Sequence, residues 1–92
     1  MLDVVLSNQF KKDLKLASKR GYDLNLLNNV VEKLANEEVL DAKYKEHELS
    51  GNYKGFKECH IQPDWLVIYR SENDILVLTL TRTGTHSELF KK

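Results

Sequence analysis

The sequence predicts an α+β domain in which an N-terminal strand and a helical hairpin pack on an antiparallel β-sheet. Three observations carry that expectation. Up to Asp41, apolar residues recur at three- and four-residue spacing, the period of an amphipathic helix. From Asn52 they fall instead in short runs rich in β-branched and aromatic side chains, separated by turn residues. The change of period happens once, without repeats, linker-like composition or low-complexity tracts, so residues 1–92 read as a single domain.

Residues 2–6 read as a short opening strand, and Ser7 as the N-cap of the helix behind it. Phe10, Leu14 and Ala17 make the apolar stripe of that helix, Lys11, Lys15 and Lys19 lie on another face, and Gly21 supplies its stop. Asp23 can cap a second helix whose stripe is Leu24, Leu27, Val31 and Leu34, widened by Val30 and Ala35. So short a turn implies an antiparallel hairpin. Asn52–Cys59 is compatible with a strand carrying an irregularity at Gly55. Trp65–Tyr69 is a nearly continuous apolar run, as in a central strand covered on both faces. Ser71–Asp74 reads as a turn and Ile75–Leu80 as the returning strand. With an even number of loop residues, Trp65, Val67 and Tyr69 share a face with Leu76, Leu78 and Leu80. Ser87–Phe90 fits a short terminal helical turn.

Composition narrows the setting. The leading residues lack a basic segment and their apolar run is broken by Asp3, unlike a secretory signal. No apolar stretch approaches the roughly 18 residues of a membrane span. Cys59 is the single cysteine, so no internal disulfide can form, which suits a reducing compartment. The expectation is a cytoplasmic protein that makes no use of a membrane. Formal net charge is zero, yet the charge is unevenly placed. Ser7–Gly21 holds Lys11, Lys12, Lys15, Lys19 and Arg20 against Asp13 alone, and a local basic field of this kind can hold phosphates.

All three histidines, His47, His60 and His86, lie in the second half, near element ends rather than inside apolar runs. Pro63 breaks the strand after His60, so His60 and Asp64 should share a sheet edge. The chain leaves the last strand through Arg82-Thr83-Gly84-Thr85-His86. By topology, Asp64, Arg82, His60 and His86 can therefore converge at one end of the sheet, with His47 joining only if its loop folds back. That set suits cleavage of RNA by its own 2′-hydroxyl. Imidazoles serve as acid and base near neutrality. A guanidinium fork pairs with phosphate oxygens, and a carboxylate can orient an imidazole. No metal and no cofactor is required. Cys59-His60 with His47 matches no metal-ligand spacing. A lone histidine is usually structural, Trp65 is more often core than stacking platform, and a basic helix face is by default solvated. Phe90 is the better stacking candidate, and Lys54 and Lys57 are close enough to the histidines to meet RNA phosphates.

From Tyr44 the chain resembles the YafQ branch of the RelE/ParE toxin superfamily. The resemblance rests on Tyr44-Lys45-Glu46-His47-Glu48-Leu49-Ser50-Gly51, on the run from Tyr53 to Tyr69 that contains Cys59-His60-Ile61-Gln62-Pro63-Asp64-Trp65, and on Arg82-Thr83-Gly84-Thr85-His86-Ser87-Glu88-Leu89-Phe90. It implies a sheet packed on a helical hairpin, similar to small microbial ribonucleases. It also implies ribosome-dependent cleavage of mRNA in the A site, giving a 2′,3′-cyclic phosphate, and neutralisation by a cognate antitoxin. On this chain it makes His47 the general base and His86 the general acid, with the choice of base open between His47 and His60. His60 and Asp64 fall on supporting positions, Arg82 on a phosphate-stabilising one, and Phe90 on a substrate-contacting one. RNA contacts are expected from Lys54, Lys57, Trp65, Phe90, Lys11, Lys15 and Lys19. The toxin alone is expected to be monomeric and to form a hetero-oligomer with the antitoxin. Such toxins are commonly basic and this chain is neutral, which leaves the first helix to hold ribosomal RNA. The rival in the same superfold is a ParE-type toxin that binds a topoisomerase without cutting RNA.

Overall fold

The computed structural model describes residues 1–90. Strand β1 (Asp3–Leu6) leads into helices α1 (Asn8–Lys19) and α2 (Leu24–Ala35). A 3₁₀ turn at Ala42–Tyr44 precedes β2 (His47–Glu48), and a second one at Gly51–Tyr53 precedes β3 (Lys57–Gln62). Strands β4 (Trp65–Glu72) and β5 (Val77–Gly84) and the one-turn helix α3 (His86–Leu89) complete the described chain. The strands form one sheet in the order β1-β5-β4-β3-β2.

The caps are those the sequence announces. Ser7 accepts from the Phe10 N–H and Asp23 from the Asn25 N–H, each satisfying a donor that a helix start leaves free. Gly21 turns the hairpin at φ 79°, a left-handed value that carries no Cβ penalty in glycine.

Successive side chains along a strand point to opposite faces. Cys59, Trp65, Val67, Tyr69, Leu78 and Leu80 face the hairpin, where they pack with Phe10, Leu27, Val30 and Leu34. Leu66 and Ile68 face the other way and join Leu89, Leu49, Tyr53, Phe56 and Phe90 in a second, smaller cluster. The Trp65–Tyr69 run is therefore buried on both faces, as its lack of polar alternation implies.

Four expectations need correction. β1 pairs with β5 in parallel, so the sheet is mixed and only its other pairings are antiparallel. β3 starts at Lys57 rather than Asn52, because Gly51 and Gly55 adopt φ 64° and 92° and the chain between them cannot run extended. β5 starts at Val77, since Leu76 takes φ 55° in the turn and is exposed together with Ile75. Leu76 thus drops out of the face that Leu78 and Leu80 share with Trp65, Val67 and Tyr69. His47 lies in a short strand rather than a loop.

Candidate active site on the open sheet face

The pairing register assembles the site. His47 lies opposite Glu58, Glu58 opposite Ile68, and Ile68 opposite Arg82. These four positions form one row across β2, β3, β4 and β5 on the face turned away from the hairpin. His60, two residues beyond Glu58, shares that face in the next row, opposite Leu66 and Gly84. With neighbouring strands about 4.8 Å apart, Arg82 and Glu58 are about 10 Å apart across the sheet, a span a nucleotide can bridge.

Glu58 is the centre of one half. It is 2% exposed, and its Oε1 lies 3.4 Å from His47 Nε2 and 3.5 Å from His60 Nε2. Its Oε2 is buried without a hydrogen-bond partner. Each imidazole is anchored at the far side of its ring. His47 Nδ1 is 2.9 Å from the Lys45 carbonyl and His60 Nδ1 3.4 Å from the Pro63 carbonyl. A carbonyl oxygen only accepts, so both Nδ1 atoms carry hydrogen, and each neutral ring keeps Nε2 as its acceptor. The rings lie 6.5 Å apart between centroids.

The other half hangs on α1 and α3. Arg82 Nε donates to Asp13 Oδ2 at 2.8 Å and Nη2 to Asp13 Oδ1 at 3.3 Å, while the Thr83 N–H donates to the same carboxylate. Asp13 pushes the Arg82 guanidinium above its ordinary range. Two of the five guanidinium hydrogens are thereby used, leaving three beside Tyr53 for a phosphate. Thr85 caps α3 in a reciprocal box with Glu88, which places His86 in its first turn. Arg20, the C-cap of α1, grips Glu88 with two bonds, 2.9 and 2.7 Å, and draws its carboxyl down to about 2. Asp64 Oδ1 accepts from the His86 N–H at 3.1 Å. The His86 ring lies tilted against Phe90 at 5.1 Å, and Phe90 meets Tyr53 edge-on at 5.9 Å.

His47 and His60 thus meet through Glu58, and His86, Asp64 and Phe90 meet at α3. Arg82 stands at the β5 end of the row. Lys54 is exposed at the loop before β3. Lys11, Lys15 and Lys19 are exposed along α1, and none of them lines the histidine row. Two expected RNA contacts do not survive. Trp65 is 1% exposed, its Nε1–H donates to Thr83 Oγ1 at 2.9 Å and its ring packs on Tyr22, so no face is left for a base. Lys57 alternates with Glu58 and lies opposite Tyr69, which directs it to the hairpin side of the sheet. Sequence reasoning missed Glu58 and Asp13. The signal for Glu58 was its place two residues before His60, which shares a strand face with it; Asp13 gave no local signal. Among the described residues, no group of three or more His, Cys, Asp or Glu side chains is arranged to hold a metal ion.

Residues 2–91 match the profile of a family described as "Bacterial toxin of type II toxin-antitoxin system, YafQ". This chain belongs to the YafQ toxin family. It is 43% identical over 89 residues to the mRNA interferase toxin YafQ of Escherichia coli K12, covering 96% of this chain and 95% of that one. The crystal structure of YafQ from E. coli BL21(DE3) superposes with a TM-score of 0.90 at 41% identity, covering 98% of this chain and 99% of that one. YafQ in the crystal structure of the E. coli DinJ–YafQ complex superposes with a TM-score of 0.89 at 42% identity, with 98% and 99% coverage.

Proposed function

We propose that this YafQ-family toxin is a metal-independent endoribonuclease that cuts mRNA in the ribosomal A site and is neutralised by a cognate antitoxin. The observation that carries the reading is the convergence of two anchored imidazoles, a third at α3 and a preset guanidinium on one sheet face. In this reaction the 2′-hydroxyl oxygen bonds to the adjacent phosphorus as the bond to the next nucleotide's 5′ oxygen breaks. One histidine takes the 2′ proton and another protonates the leaving oxygen, giving a 2′,3′-cyclic phosphate and a free 5′-hydroxyl.

His47 is the base in this reading. Its side chain is 51% exposed and reaches substrate, and its Nδ1–H on the Lys45 carbonyl leaves Nε2 to accept the proton. His60, 18% exposed, faces the same Glu58 oxygen at 3.5 Å and holds that carboxylate in place beside His47. Arg82 binds the phosphate oxygens as charge builds on them. His86 is the acid, oriented by Asp64 and the α3 cap, and Phe90 stacks on a base. Lys54 and the exposed α1 lysines track flanking phosphates.

The single folded unit works in the cytoplasm, alongside ribosomes. Among the described residues no helix is long and apolar enough to cross a membrane. A toxin acting only by gripping a topoisomerase would have no use for this constellation. The test is a defined translation reaction with primer extension of the message, run with and without ribosomes and with His86→Ala. Cuts at fixed codon positions that need ribosomes and fall by about 10²–10⁴-fold in the variant are expected. Intact message in every reaction would overturn the reading.

A further inference from the structure

A cavity of about 420 Å³ opens beside His60, at the part of β3 that β2 is too short to cover. Its walls come from Leu26 of α2, the Lys43–Lys45 turn and the Ile61–Pro63 end of β3. The floor is apolar, Lys43 and Lys45 stand at it, and no acidic side chain lines it. Lys33 adds a third cation, 5.6 Å from the centre of the Tyr44 ring. His60 lines the cavity and also faces Glu58, so the cavity adjoins the histidine pair at this residue.

The walls also do something for the chemistry. Both backbone carbonyls that hold the imidazole tautomers, Lys45 on His47 and Pro63 on His60, belong to cavity-lining residues. Lys45 adopts φ 48°, a left-handed conformation that costs a lysine backbone strain, and it is this residue that presents its carbonyl to His47. A ligand wedged between the two wall segments would brace both carbonyls at once.

We propose that this cavity is a subsite for the nucleobase next to the scissile phosphate, and that a fitting base speeds cleavage by steadying the His47 and His60 anchors. The proposal rests on the ribonuclease reading above. A flat, mostly apolar body matches the Tyr44, Leu26, Ile61 and Pro63 walls, and the ribose phosphates leaving it meet Lys43 and Lys45. The volume is in the range of pockets that enclose small planar ligands. Specificity here acts through the rate of the cut rather than through ribosome association.

Two measurements test it. In the first, the full-length His86→Ala toxin is titrated with each nucleoside 5′-monophosphate, with ribose 5-phosphate and with inorganic phosphate while its amide and imidazole NMR signals are followed. Shifts at Tyr44, Ile61, His47 and His60 with nucleotides, absent with the two baseless phosphates and abolished by Leu26→Trp, are expected. In the second, primer extension compares cut rates at many codons for the otherwise unaltered toxin, Leu26→Trp and Tyr44→Ala. Rates at favoured sites should fall about 10- to 200-fold, the range over which a pocket contact discriminates, and the preference at one nucleotide position should flatten. Ribosome co-sedimentation should not move. Equal shifts with ribose 5-phosphate would overturn the proposal, as would unchanged cut patterns in both variants. A toxin that cuts nothing even without these substitutions would sink the ribonuclease reading instead, and the nucleotide titration then decides the subsite alone. Antitoxin binding by Leu26→Trp confirms its fold; if it is lost, Tyr44→Ala carries the comparison.

Discussion

The two halves of the candidate site are built in different ways. The His47–Glu58–His60 half is made inside the sheet, where register sets the side chains and backbone carbonyls fix the rings. The Arg82–His86 half depends on α1, which reaches across with Asp13 to the end of β5 and with Arg20 to α3. Asp13 and Arg20 are seven residues apart, so they lie on one face of the helix. The first half is held by strand register and by two backbone carbonyls next to the strands. The second is held by two ion pairs that pH, salt or a partner on α1 can loosen.

The sharpest way to break this comparison is at its buried carboxylate. Glu58→Gln keeps the shape, removes the charge that both imidazoles face and should lower cleavage by about 10²–10⁴-fold, as when an imidazole loses the carboxylate that orients it. Thermal unfolding should change little, since a buried charge with an unpartnered oxygen is costly to hold. Cleavage within threefold of the parent would remove Glu58 from the machinery.

Reversal of Lys11, Lys15 and Lys19 to glutamate tests the outer surface of α1. Ribosome association should weaken by about tenfold or more near physiological salt and lose much of its salt dependence. Co-sedimentation at several salt concentrations reads it, and parallel curves for the two proteins would refute it.

Asp13→Ala should slow cleavage by about tenfold, because Arg82 keeps its charge but loses the bidentate hold that presets it. Asp13→Asn should recover part of the rate, since one acceptor oxygen remains. Equal rates for all three proteins would show that the guanidinium needs no preset.

The smallest effect belongs to Arg20–Glu88. Glu88 is drawn down to about 2, so its contribution to stability is present above the ordinary carboxylate range and is lost as pH falls from about 4.5 towards 2. The pair is largely solvent-screened, which keeps that contribution small. Melting curves of the parent and Glu88→Gln should converge as pH drops through that window. A constant offset between them would mean that the ion pair contributes nothing.

Most of the core was legible because burial follows periodicity. Phe10, Ala17, Leu27, Val30, Leu34 and the Trp65–Tyr69 run are buried where their spacing put them. The catalytic histidines could be named for their residue type and for the family motifs around them. Their geometry could not. Asp13–Arg82 spans 69 residues and Arg20–Glu88 spans 68, and such pairs leave no local pattern. Trp65 shows the limit of residue type, which allows both core and RNA stacking while favouring core, until packing commits both its ring and its N–H to the interior.

By itself the sequence determined the helices, their caps, the central strand and the supply of acid, base and cation. These depend on local period, on capping chemistry and on residue type. Only the tertiary structure decided that Glu58 would lie between two imidazoles, that β1 would add to β5 in parallel and that α1 would hold Arg82 and α3. Each of these follows from strand register and helix docking, where one residue of slip would turn every side chain to the other face.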